Sequence, residues 1–148
     1  MVTVDYMVIA DAAVVAEGKH YIHGAGWDHI MAAAFPVRHP ALAVAVRLAI
    51  PWGDTNQPHM LELDLLDQDG NSILPPPGAL RGPINVGRPP QAHPGSDLYV
   101  PLVFNLAGVE FPQPATYSIV LRIEGVDAKC STLHVSMLPG MPGPQGQR

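Results

Sequence analysis

Apolar and polar residues alternate with a period of two along much of the chain, and this alternation is typical of β-strands. Residues 41–50 show it best, because bulky Leu, Val and Ile residues there alternate with alanines and one arginine. Residues 59–65, 98–106 and 117–123 repeat the pattern. The 17 prolines and 14 glycines interrupt nearly every stretch with helical spacing. The pattern therefore predicts an all-β chain.

Turn-forming residues separate these stretches into about eight or nine short strands. Residues 4–16 are predicted to form a hairpin with the segment after Glu17-Gly18-Lys19, and Gly24-Ala25-Gly26 is predicted to bend the chain. Residues 117–123 and 132–137 predict the most regular hairpin. These strands favour an antiparallel β-sandwich with immunoglobulin-like or related topology, and a closed β-barrel is the alternative.

The prolines also indicate how the chain is divided. Residues 1–138 are predicted to form one domain, and residues 139–148 a disordered tail rich in Pro and Gly. Residues 75–95 contain seven prolines and four glycines, so we expect a long surface loop that carries one edge strand. Pro101 interrupts an otherwise regular strand, which predicts that this strand is bulged or lies at an edge.

Few residues of the chain are charged, and this limits how its surface can be composed. Charged residues make up 14% of the chain and apolar residues 47%, whereas an average soluble chain has about 25% charged residues. This balance indicates either a subunit interface or exposed strand faces built from uncharged polar residues. The small face of residues 41–50 would allow close approach of a second chain, so Ala43, Ala45 and Ala49 are predicted interface residues.

Charge and hydropathy exclude several classes of partner. The formal net charge is −5 and the eight Lys and Arg residues are scattered, so no basic patch for nucleic acid is predicted. No apolar run reaches the roughly 20 residues of a membrane span. The first residues lack the features of a signal peptide, and cytoplasmic residence is expected. The single cysteine, Cys130, excludes an internal disulfide.

No constellation of residues predicts catalysis, a metal or a cofactor. The seven histidines show no ligand spacing, and the turn at Asp67, Asp69 and Asn71 departs from the EF-hand pattern. Cys130 and His134 share a strand face but lie roughly 13 Å apart along it. Phosphate-binding, dinucleotide-binding and serine-nucleophile motifs are missing from the sequence. We therefore expect a protein that is not an enzyme and has no cofactor.

Three aromatic residues are candidates for ligand binding. Trp27 follows a glycine pair, Trp52 follows a proline in a loop, and Tyr21 is a neighbour of unknown proximity. Aromatic rings at such positions can stack on sugars or other ligands. The structural alternatives are that Trp27 fills the core and that Trp52 caps one end of the sandwich.

The opening of the chain resembles an uncharacterised bacterial β-sandwich family, a domain of unknown function. The residues that carry the resemblance are Ala10-Asp11-Ala12-Ala13, the segment from Gly18 to Trp27 (GKHYIHGAGW), His59-Met60-Leu61-Glu62-Leu63 with Asp67-Gln68-Asp69-Gly70, and Pro114-Ala115-Thr116-Tyr117 with the strand that follows. The resemblance covers most of residues 5–137 and implies the fold. It implies no catalytic residues.

Two functions remain open at the level of sequence. The first is a structural or protein-interaction module that forms a homo-oligomer or binds an unidentified protein. The alternative is a domain that binds a carbohydrate or another small ligand through Trp27, Trp52 or Tyr21.

Overall fold

The computed structural model describes residues 1–139 and forms nine strands in two sheets. The strands are β1 Thr3–Ala16, β2 Lys19–Ala25, β3 His29–Ala32, β4 Val37–Ile50, β5 Pro58–Leu66, β6 Leu80–Asn85, β7 Leu98–Phe111, β8 Ala115–Ile123 and β9 Val126–Met137. The only helical element among the described residues is a 3₁₀ turn at Trp52–Asp54. One sheet has the order β2-β1-β4-β7 and the other the order β3-β9-β8-β5-β6.

Seven of the nine strands follow the order of an immunoglobulin-like sandwich. The run β1-β4-β7 corresponds to strands A-B-E, and β9-β8-β5-β6 corresponds to G-F-C with an added C′ strand. The predicted all-β sandwich is confirmed. One ladder differs from the expected antiparallel arrangement, because β3 pairs in parallel with β9. After β2 the chain crosses from the first sheet to the second. There β3 lies beside β9 and runs in the same direction.

The core lies between the two sheets and follows the predicted alternation. The bulky face of β4 supplies Leu42, Val44, Val46, Leu48 and Ile50, and all five side chains are buried. Opposite them lie buried residues of β5 and β8, among them Leu61, Leu63, Ile119 and Leu121.

Tyr117 closes the turn before β8. Its ring is fully buried and packs edge-on against Phe111, with 5.1 Å between the ring centroids. Its hydroxyl donates a hydrogen bond to the Gln113 carbonyl oxygen at 2.7 Å. A tyrosine that bonds back to the backbone just upstream of strand F is the tyrosine corner of immunoglobulin-like sandwiches.

The β1–β2 hairpin curls back towards the opposite edge of its own sheet. His20 on β2 lies 2.9 Å from the Leu102 carbonyl oxygen on β7, although β2 and β7 are the two outer strands of this sheet. A carbonyl can only accept, so His20 Nε2 carries the proton and Nδ1 accepts a hydrogen bond from the Tyr6 hydroxyl. The sheet therefore forms a half-barrel.

The half-barrel gives the alanine face of β4 a different role from the predicted interface. Ala43 and Ala45 are 1% and 0% exposed, and Ala49 is 8% exposed. Ala10 of β1 lies opposite Ala43 and is also fully buried. The alanines are covered within one chain, so they offer no surface to a second copy.

The predicted edge strands lie where expected. β7, which contains Pro101, is the last strand of the four-stranded sheet, and β6 is an edge strand of the other. The predicted hairpin of β8 and β9 is also present. The predicted tail begins at Pro139, and residues 140–148 lie outside the described residues.

Candidate functional site

The three aromatic candidates lie in different environments and do not form one site. Trp52 opens the 3₁₀ turn and is half-buried. The Arg88 guanidinium carbon lies 4.2 Å from the centroid of the Trp52 ring. Arg88 is held there by hydrogen bonds to the Trp52 carbonyl oxygen and to Thr55 Oγ1. The guanidinium of Arg88 therefore covers one face of the Trp52 indole.

Trp27 lines a shallow depression of about 330 Å³ that neither Trp52 nor Tyr21 reaches. The depression lies between the bend of the β1–β2 hairpin, the edge strand β3 and the start of β4. Its lining residues are Asp11, Trp27, His29, Ile30, Met31 and His39. The Trp27 and His39 rings are tilted at 53° to each other, with 5.8 Å between their centroids.

The bend of the hairpin fixes Trp27 and Asp11 relative to each other. Gly24 and Gly26 adopt φ angles of +64° and +91°, which confirms the predicted bend. Trp27 Nε1 donates to the Gly24 carbonyl oxygen at 2.7 Å. On the other side of Gly24, a Cβ would lie only 2.3 Å from the Asp11 carboxylate oxygen Oδ2. The missing methyl group of Gly24 therefore makes room for the Asp11 carboxylate.

Two histidines meet beside this depression. The parallel register of β3 and β9 places His29 opposite His134, with 4.9 Å between the ring centroids. His29 Nδ1 lies 2.7 Å from Asp28 Oδ1, and His134 Nδ1 lies 3.2 Å from Thr116 Oγ1. No three His, Cys, Asp or Glu residues within 1–139 are grouped in a way that could hold a metal ion.

Tyr21 lies on the outer side of the β1–β2 hairpin. Its register partner is Val14, and the two side chains are 46% and 55% exposed. We use the name hairpin face for the outward residues of this hairpin. They are Ala12, Val14, Ala16, Lys19, Tyr21 and His23.

A larger apolar groove lies at one end of the sandwich, between the start of β1 and the turn that joins β8 to β9. It encloses about 630 Å³. The apolar residues that line it include Val2, Val4, Ile123, Val126 and Ala128.

Polar groups border this end groove. His59 Nε2 donates to the Asp54 carbonyl oxygen at 2.7 Å, and Nδ1 lies 3.2 Å from Glu124 Oε1. The pKa of Asp54 is lowered chiefly because the amino group of Met1 donates a hydrogen bond to its carboxylate. The charge of His59 lowers it further.

The acidic turn after β5 has a structural role. Asp67 Oδ1 accepts hydrogen bonds from the backbone N–H groups of Asp69 and Asn71, both at 2.9 Å. The carboxylate thereby holds the turn itself, as expected for an Asx turn.

Charged residues on the outer face of the five-stranded sheet neutralise one another. Arg122 donates to Glu62 at 2.7 Å and to Asp127 at 2.9 Å, and Arg81 lies 3.2 Å from Glu62. These carboxylates raise the pKa of Arg122.

Sequence reasoning missed the grouping of Asp11, His29 and His39 around Trp27. Asp11 and Gly24 were recognised only as parts of a motif, and the contact between them depends on hairpin register. The pairing of His29 with His134 depends on the parallel ladder, which alternation within a strand cannot predict.

Comparison with known proteins identifies the family. The model of a family of unknown function, DUF6941, matches residues 5–136. The chain belongs to this family. The resemblance to an uncharacterised domain family is thus confirmed. No curated protein matches this DUF6941 member. Within residues 1–139 there is no helix long and apolar enough to cross a membrane.

Solved structures with a distant likeness include a DNA glycosylase. The DUF6941 chain is similar to part of the Pseudomonas fluorescens alkylpurine DNA glycosylase AlkC bound to DNA containing an abasic site analog, with a TM-score of 0.47 and 7% sequence identity. The match covers 91% of this chain and 30% of that chain, so the chain spans less than a third of the length of the glycosylase structure.

Proposed function

We propose that this chain is a non-enzymatic protein-interaction module that self-associates through the hairpin face. The observation that carries the proposal is the exposure of Val14 and Tyr21, which are adjacent in register on a two-stranded surface. Burial of apolar area contributes about 25 cal/mol per Å² to association. Exposed apolar patches rimmed by polar residues are typical of interaction sites.

The hairpin face has a low cost of desolvation. Lys19 is its only residue with a formal charge, and it lies at the end of the hairpin next to the turn. The remaining residues are alanines, Val14, Tyr21 and His23. A second copy can therefore cover this face without burying a carboxylate or a guanidinium.

Assembly through strand edges is disfavoured by the residues at those edges. Pro83 on β6 and Pro101 on β7 lie in outer strands of the two sheets and cannot donate to a further ladder. Lys129 on β9 pairs in register with the buried Leu121, so it places a charge on the core-facing side of its strand. Prolines and inward-pointing charges are features that protect edges from strand addition.

The size of the hairpin face predicts a weak dimer. Seven residues of each of two strands cover roughly 23 Å by 10 Å, well below the ~800 Å² that each partner of a stable complex buries. A two-fold axis would bring the same face of two copies together. Nucleic acid is not a proposed partner, because the formal net charge is −5.

The test is solution mass by light scattering over a hundredfold range of protein concentration. The wild type is expected to rise from monomer towards dimer mass as concentration increases. Val14→Lys is expected to stay monomeric, because association would bury an ammonium group on the partner's apolar face. The matched control is Val126→Lys, since Val126 is 68% exposed in the end groove.

Two results would contradict the proposal. If the wild type stays monomeric at every concentration, the proposed self-association is wrong. Dissociation by Val126→Lys but not by Val14→Lys would move the interface to the end groove. Circular dichroism of both variants establishes that the fold is retained.

A further inference from the structure

We infer that the depression at Trp27 binds a small organic cation with a primary or quaternary ammonium group. This inference is independent of self-association, because the hairpin face and the depression share no residue. It rests on the charge of the lining residues, on the absence of a guanidinium from the described contacts of Trp27 and on the position of the Asp11 carboxylate beside Gly24.

The lining residues favour a positive or neutral ligand over an anion. None of the six is Lys or Arg, and Asp11 contributes a carboxylate. Asp28, a second carboxylate, lies beside His29 at the rim. Within residues 1–139, Asp11 forms no ion pair with a side chain of the protein. Its charge is therefore available to a ligand.

The Trp27 ring supplies the second element of a cation site. Cations are attracted to the face of an indole more strongly than to the other aromatic rings. Two arginines of the chain already lie over aromatic rings, because Arg88 covers Trp52 at 4.2 Å and Arg47 covers Tyr99 at 3.8 Å. Trp27 packs partly against the core and has no such guanidinium among its described contacts, and it lines the open depression.

The position of the carboxylate does not depend on the ligand. Gly24 leaves the space that Asp11 occupies, and the carbonyl of the same glycine holds the Trp27 indole N–H at 2.7 Å. The indole N–H is thus held by Gly24, and the Asp11 carboxylate lies against the same residue. A site arranged in advance loses little conformational entropy on binding. The volume of about 330 Å³ suits a ligand of a few heavy atoms.

The experiment compares choline with its uncharged carbon isostere, 3,3-dimethylbutan-1-ol, on the full chain. Both are titrated while the indole N–H resonances of the two tryptophans are followed by NMR, and Trp52→Phe assigns the Trp27 signal. Choline is expected to shift the Trp27 resonance in a saturable manner, and the isostere to bind at least roughly tenfold more weakly. Glucose serves as the uncharged polyhydroxylated comparison.

Two variants separate the local carboxylate from the general negative charge. Asp11→Asn should weaken choline binding by about tenfold, and Asp28→Asn should weaken it much less. Equal binding of choline and its isostere would overturn the inference, as would equal loss in the two variants. If glucose binds more tightly than choline, the depression is a carbohydrate site and the inference is wrong. The comparison of ligands on the wild type stands even where Asp11→Asn fails to fold.

Discussion

A single missing methyl group organises the bend of the β1–β2 hairpin. Gly24 combines a φ of +64° with a backbone that touches the Asp11 carboxylate on one side and bonds Trp27 on the other. The bend directs β2 back over the sheet, where His20 reaches β7. The packing around Gly24 therefore explains why Asp11, Gly24 and Trp27 occur together in the opening motif.

Gly24→Ala is expected to destabilise the protein more than Gly18→Ala. Both glycines have φ near +70°, at +64° and +72°, so alanine costs about 1–2 kcal/mol of conformational strain at either position. Only Gly24 has a neighbour within 4 Å, the Asp11 side chain, which would have to move. Urea unfolding measures the two free energies, and equal losses would show that the contact with Asp11 has no energetic role.

At the scale of elements, alternation predicted the strands but not their curvature. The bulky and small faces of β4 are visible in the sequence, and Pro101 correctly predicts an edge strand. The sequence pattern did not show which layer covers the alanines, because curling depends on backbone angles at Gly24 and Gly26 and on a hydrogen bond between distant strands. The alanine face was consequently assigned to a partner when it belongs to the half-barrel.

Ala45→Leu is expected to loosen the β1–β2 hairpin and to lower stability by about 1–3 kcal/mol, as overpacking of a filled core does. Ala45 is fully buried and lies in register between Val8 of β1 and Val103 of β7. Hydrogen exchange of the β2 amides should become faster, since the larger side chain pushes the curled hairpin away. The exposed Ala128 provides the control, and Ala128→Leu should leave exchange in β2 unchanged. Unaltered exchange in Ala45→Leu would mean that the sheet has free space beside Ala45.

At the scale of the whole molecule, the tyrosine corner couples folding to alkaline pH. Burial raises the pKa of Tyr117 above its ordinary value of 10.0, because the phenolate would lose its hydration inside the sandwich. The unfolded chain therefore ionises at lower pH than the folded one. The stability contributed by this group is complete below the unfolded-state pKa and is lost as pH rises through the folded-state pKa.

Tyr117→Phe is expected to lower stability at neutral pH by about 1 kcal/mol, because the hydrogen bond to the Gln113 carbonyl is lost. Above pH 10 the variant should lose less stability than the wild type, since it has no phenol to ionise at this position. Urea unfolding at pH 7 to 11 measures both effects. Tyr99→Phe, at a side chain that is 48% exposed, is the control and should follow the wild type. Parallel pH profiles for Tyr117→Phe and the wild type would rule out this coupling.

The parallel pairing of β3 with β9 has a mechanical consequence. Its four residue pairs run from His29 with His134 to Ala32 with Met137. A force that pulls the preceding chain away from the segment after β9 would act along these two strands in opposite directions. All the hydrogen bonds between them would then be loaded at once rather than broken one after another from an end. We expect this short ladder to resist extension once β1 and β2 have detached, and the strands between β3 and β9 to yield only after it has failed.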